Sequence, residues 1–151
     1  MPIREAALKD QKNNHVAIKG SATWAIAAAA LKQRNGTATW PLVVLKADGT
    51  YGAETFEQIA KKDVAAEAAV ETIADLCSVK AVEADSMSTG DAETLANGEK
   101  CIKLLVVVEK GKFKGVLYAG SHRGGDLPTA KLNELAGSNV DLSKLGDLLL
   151  D

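Results

Sequence analysis

Aromatic residues are scarce in this chain: Phe, Trp and Tyr contribute two residues each, 4% of 151. A surface that holds single strands by stacking bases on rings needs more of them. Lys and Arg number 18 against 20 Asp and Glu, a net charge of −2, so a globally basic nucleic-acid footprint is excluded too. Two cysteines, Cys77 and Cys101, are too few for a disulfide framework and read as reduced thiols. With only His15 and His122, no zinc-type His/Cys set can be written, and no D-x-D-x-D-G calcium loop occurs. The longest apolar run, Trp24 to Leu31, is mostly alanine and far short of the roughly 20 residues that span a bilayer. The opening MPIREAALKDQKNN lacks the apolar stretch of a secretion signal. These absences predict a soluble cytoplasmic protein with neither a membrane nor nucleic acid as partner.

What is present is the balance of an ordinary globular domain, 46% hydrophobic and 25% charged, the apolar share carried by Ala, Val and Leu. A chain of this length buries about two-thirds of its unfolded surface and needs no staple. Charge is unevenly spread. Residues 54–99 hold eleven acids and three lysines, a net −8, whereas residues 100–131 reach +5. Solvated faces produce such asymmetry; the functional alternative is an anion site in the second half.

Along the chain, Ser21 is the expected N-cap of a helix from Ala22 to Arg34, with Asn35-Gly36 as its stop. Leu42 to Leu45 reads as a buried strand, and Asp48-Gly49 predicts a two-residue type I′ turn into a second strand, Thr50 to Glu54. From Thr55 to Leu76 apolar residues recur at helical spacing, with a break at 61–63 and Asp63 as a second N-cap. Val79 to Val82 reads as a strand and residues 92–96 as a short helix. A second hairpin turns at Lys110-Gly111, and Gly120 to Gly125 forms a glycine-rich loop. A helix then opens at Asp126 and Pro128 and closes at Gly137. The last residues, VDLSKLGDLLLD, are apolar enough to dock on the body.

The hairpins superpose at an offset of 62–63 residues. Leu42, Val43, Val44 and Leu45 lie over Leu105, Val106, Val107 and Val108, Gly52 over Gly115, and Tyr51 near Phe113. Each copy is an α/β unit too small to stand comfortably alone, and two copies can share a core.

The first copy resembles a CBS domain, the small module named after cystathionine β-synthase. HVAIKGSATWAIAAAALKQRNGTATW, PLVVLKADG and GAETFEQIA follow the family's strand, Ser/Thr-initiated helix, Pro-led hairpin and G-h-h-T-x-x-D stretch. Pro41, Val43, Val44, Asp48, Gly49, Gly52, Thr55 and Ile59 fall in register, with one residue missing in the second strand. The second copy matches at LLVVVEKGKFKGVLYAG with a shortened first helix. The resemblance implies an α/β (α+β) fold of two β-α-β-β-α units related by pseudo-twofold symmetry and packed as one domain. The expected division is an N-terminal segment 1–13, unit one at 14–62, a linker helix at 63–78, a degenerate unit two at 79–136 and an apolar tail at 137–151.

It also implies a non-catalytic regulatory module, without an obligatory cofactor, that binds an adenosine ligand (AMP, ADP, ATP or S-adenosylmethionine) between its units. Such a module biases a homodimer or a complex with a regulated enzyme or transporter. In the family a Thr or Ser after the last strand and an Asp three residues on hold phosphate and ribose. Thr55 fills the first position, but Gln58 replaces the Asp; in the second copy the two positions are Tyr118 and Ser121. Ser121, His122 and Arg123, between a strand and a helix start, offer backbone donors and a guanidinium to an anion. Glu54 and Glu57, near a hairpin end, read as solvated or helix-capping carboxylates rather than catalysts. Ser121-His122 has no assigned acid to complete a triad. Trp24 and Trp40 read as core or interface anchors. Two other readings remain: a structural adaptor that binds protein and no small molecule, and a roadblock- or profilin-like sandwich in which both hairpins join one sheet.

Overall fold

A computed structural model describes residues 15–62, 64–73, 76–83, 102–121, 143 and 145–150. Within them are two sheets. The first is ordered β1 (Val16–Lys19), β2 (Pro41–Leu45), β3 (Tyr51–Thr55) and β4 (Cys77–Val79); the second is β5 (Ala81–Glu83), β6 (Ile102–Glu109) and β7 (Lys112–Ser121). In each, the first strand runs parallel to the second, which then forms an antiparallel hairpin with the third. Val44 pairs with Gly52 and Val107 with Gly115, so the repeat read from sequence recurs in the ladder register. The hairpins stand in separate sheets, which removes the single-sheet sandwich.

Helix α1 (Trp24–Gln33) crosses over from β1 to β2 and carries the alanine run. Alanine has high helix propensity and no bulk, so the helix lies close against its surroundings; Ala27, Ala28 and Ala30 are buried with Val16, Ile18, Leu42 and Val44. Its N-cap is Thr23, whose hydroxyl accepts from the Ile26 N–H at 3.2 Å, not the exposed Ser21. Asn35, at φ 54°, takes the left-handed position, and the Gly36 and Asn35 N–H groups return to Leu31 O and Lys32 O in a Schellman ending. Gly36 is required there, because a Cβ would lie 2.4 Å from Leu31 Cδ1 and 2.6 Å from Trp40 Cε3.

The second of the two helices expected over 55–76, divided at 61–63, is the main correction. Among the described residues of this stretch the one α-helix is α2 (Phe56–Ala60). In place of the linker helix at 63–78, the described residues hold turns, a 3-10 turn at Val70–Thr72 and β4. The cause is tertiary: Ala68 O and Ala66 O accept from the Trp24 and Ala25 N–H groups at 2.9 Å, and the Val70 N–H reaches Ala22 O at 2.8 Å. The segment is thereby spent on the open N-terminal donors of α1, and its helical spacing is overridden. The strand expected over 79–82 is also two strands, divided at Lys80, where the chain passes from one sheet to the other.

The hairpin turns differ from expectation in kind. Gly49 has φ 87° but Asp48 is not left-handed; the Gly49 N–H bonds Lys46 O at 3.0 Å, and Lys46 N–H bonds Thr50 O at 2.9 Å. This is a three-residue loop with a left-handed glycine rather than a type I′ turn. Lys110 and Gly111, at φ 53° and 80°, do form the I′ turn, in the second hairpin. The extra loop residue accounts for the slippage between 62 and 63 in the repeat.

The sheets share a core in which Ala17, Val43, Tyr51, Ala53 and Val79 meet Leu104, Val106 and Val116. A second core lies between the first sheet and its helices, around Trp24 and Phe56. The tail docks as expected: α3 (Leu145–Leu148) buries Leu145, Leu149 bridges Ile18, and the Leu150 N–H bonds Ala17 O at 3.0 Å. It covers the β1 edge of the first sheet, which would otherwise offer an unpaired strand. Asp63, the helix at 92–96, the loop beyond Ser121 and the helix at 126–137 lie outside the described residues, as does Cys101. Cys77 is buried.

Candidate functional site

Thr55 ends β3 and caps α2, so it stands where the sheet gives way to helix. Its hydroxyl accepts from the Gln58 N–H at 3.2 Å, which brings together the two residues singled out in the first unit. Thr55 is buried, 3% exposed, and Gln58 half-buried. Opposite Thr55 in the ladder is Pro41, so the junction lies at the N-terminal end of β2, away from the hairpin tip.

The hydrogen-bond donors of this junction are already committed. The Thr55 N–H bonds Glu54 Oε1 at 2.9 Å, the Phe56 N–H bonds Trp40 O at 3.1 Å, and the Glu57 N–H bonds Ala38 O at 2.8 Å. The loop at 36–40, pinned by Gly36 and Trp40, thus closes over the start of α2.

Glu54 and Glu57 are not solvated. They are 2% and 4% exposed, and this is the chief feature that the sequence reading missed. Glu54 Oε2 also lies 3.9 Å from Cys77 Sγ. Glu57 Oε1 has Lys61 Nζ at 3.7 Å and no hydrogen-bond donor. The signal available in sequence was the apolar company, YGAETFEQIA, in which every residue but Gln58 is buried.

In the second unit, Tyr118 pairs with Leu104 and Ser121 with Ile102 near the end of β7. By ladder register Tyr118 corresponds to Thr55, but β7 continues three residues past it to Ser121, whereas β3 ends at Thr55. His122 and Arg123 lie outside the described residues. Trp24 is a core anchor, stacked on Phe56, and Trp40 is half-buried over Gly36.

At the opposite end of the first sheet, Lys19, Ser21, Lys46 and Glu71 line an open cleft of about 250 Å³ beyond the C-terminal ends of β1 and β2. Glu71 lies over Gly20 and accepts from the Ala47 N–H at 3.2 Å. Next to it, Asp48 accepts from the Thr50 hydroxyl at 2.6 Å and N–H at 2.9 Å, which holds its carboxyl below the usual range. Among the described residues no group of three or more His, Cys, Asp or Glu could hold a metal ion, and no helix is long and apolar enough to cross a membrane.

No protein-family model matches the chain, and no curated protein does. Solved structures do. A CBS domain-containing protein of unknown function from Kribbella flavida has a TM-score of 0.58 and 16% identity, covering 89% of this chain and 99% of that one. A hemolysin-like protein containing a CBS domain, from Oenococcus oeni, has a TM-score of 0.56 and 14% identity, covering 78% and 84%. The CBS domain of a bacterial CNNM/CorC family Mg2+ transporter in complex with ATP has a TM-score of 0.56 and 15% identity, covering 90% and 87%. The chain has the CBS-domain fold.

Proposed function

We propose that this chain is a CBS-domain module, non-catalytic and cytoplasmic, that binds an adenosine ligand and passes its presence to a partner. The observation that carries the reading is Thr55: in this fold, at the end of β3, it caps α2 and holds Gln58 beside it. A transporter CBS domain of the same fold is solved with ATP, which supports the ligand class. Gln58 offers an amide to a ribose hydroxyl without the charge of the family's Asp. In the second unit Tyr118 and Ser121, with His122 and Arg123 following, make up the corresponding site, the latter pair suited to an anion.

The mechanism is a population shift. A ligand that touches both units favours one arrangement of the two sheets across their shared core, and does so only by its differential affinity for the two arrangements. The responding assembly is a homodimer or a complex with an enzyme or transporter. A second reading, a structural adaptor without ligand, is favoured by one observation: the backbone donors at Thr55 are already bonded within the protein. Isothermal titration of the full chain with adenosine, AMP, ATP and S-adenosylmethionine separates the two. Saturable heat with any of them supports the sensor; none at millimolar concentration leaves the adaptor.

A further inference from the structure

The open cleft at the hairpin-tip end of the first sheet lies away from Thr55 and carries charges of both signs. Glu71 is fixed there by its backbone and its side chain. Its N–H bonds Gly20 O at 3.2 Å, and its Oε1 accepts from the Ala47 N–H at 3.2 Å. Gly20 makes room for it, since a Cβ at that position would lie 2.7 Å from Glu71 Cβ. Lys19 and Lys46 line the same cleft, and among the described residues neither forms an ion pair with Glu71. The Ser21 hydroxyl adds a donor, and Leu45, Ala47 and the lysine stems supply apolar surface.

We propose that this cleft binds a free α-amino acid with an apolar side chain, its carboxylate held by Lys19, Lys46 and Ser21 and its ammonium by Glu71. Opposite charges that line one cleft without pairing keep their hydrogen-bonding capacity for a ligand that bears both charges. A plain anion would meet the Glu71 carboxylate, and a plain cation the two lysines. The volume, about 250 Å³, falls below the roughly 300–1,000 Å³ of drug-sized ligand pockets and suits a molecule of amino-acid size. Glu71 is held by two hydrogen bonds before any ligand arrives, so little binding energy goes into ordering it. The cleft is at the other end of the sheet from Thr55 and neither requires nor excludes an adenosine ligand there.

The test is an NMR titration of the full chain, followed at the Gly20, Ser21, Ala47 and Glu71 amide signals. L-Leucine is expected to shift them saturably, with a Kd on the order of a few millimolar. Isocaproate, which lacks the ammonium, and isoamylamine, which lacks the carboxylate, should each bind about tenfold more weakly. Glu71→Gln, whose amide oxygen can still accept from the Ala47 N–H, should weaken leucine about tenfold without weakening isocaproate. Lys19→Met with Lys46→Met keeps the apolar stems and should weaken leucine and isocaproate while sparing isoamylamine. Should Glu71→Gln fail to fold, the lysine variant and the comparison of ligands on the wild type decide. Isocaproate or inorganic phosphate binding as tightly as leucine makes the cleft a plain anion site and overturns the proposal. So does leucine binding that neither variant changes, or no shift of these signals at about 50 mM leucine.

Discussion

Trp24 and Phe56 stack with ring centroids 5.6 Å apart and planes 24° from parallel. Trp24 opens α1 and Phe56 opens α2, so one aromatic contact ties the two helices of the first unit together over its sheet. Both rings are buried at the centre of the same core.

Phe56→Ala should therefore cost about 3–5 kcal/mol, the sum of lost transfer energy and the cavity left behind. Phe56→Leu, which refills most of the space, should cost well under half of that. Urea denaturation at neutral pH checks both, with an unchanged slope as evidence that only stability has moved.

Thr55→Ala removes the hydroxyl that caps α2 and should cost about 1 kcal/mol, whereas Thr55→Ser should be close to neutral because its oxygen can still accept from the Gln58 N–H. The comparison by denaturation separates the cap from loss of the Thr methyl group.

Lys110 sits at φ 53° in the second hairpin turn, a conformation that costs a side-chain-bearing residue about 1–2 kcal/mol. Lys110→Asn should raise stability by about 0.5–1 kcal/mol, since Asn tolerates this region of backbone space. Gly36→Ala should act in the other direction, because its Cβ collides with Leu31 and Trp40. Thermal melts of the two variants should move oppositely.

Much of this fold was legible because it depends on local pattern. The hairpin strands showed in their unbroken Val/Leu runs, and the paired glycines Gly52 and Gly115 fixed their register. Asn35-Gly36 named the end of α1, and the Leu-rich tail named its own docking. What was not legible depends on partners distant in sequence. Thr23 outcompetes Ser21 as the cap because the chain at 66–70 returns to bond the first turn of α1. That same return prevents the linker helix which the spacing of residues 64–73 suggested. Lys80 divides an apparent strand because each half finds a different sheet. At the site, Thr55 and Gln58 were readable from the resemblance. The burial of Glu54 and Glu57 was not, since it depends on segments distant in sequence: Cys77 of β4 beside Glu54, and the loop at 36–40 bonded to the start of α2.

Burial raises the Tyr51 phenol above its usual 10.0. The folded chain then keeps this proton at a pH where the unfolded chain has lost it. Stability is intact below about pH 10 and declines as pH rises past the unfolded value. Tyr51→Phe should flatten that decline. Denaturation midpoints between about pH 8 and pH 11 would show the two curves diverging only at the alkaline end.

The central claim is that an adenosine ligand binds where β3 meets α2. A crystal structure of the full chain, grown with adenosine well above its measured dissociation constant, tests this most directly. The account predicts the ribose against Gln58 and Thr55 in the first unit. A nucleoside bound solely elsewhere, such as the cleft between Lys19 and Lys46, would contradict it.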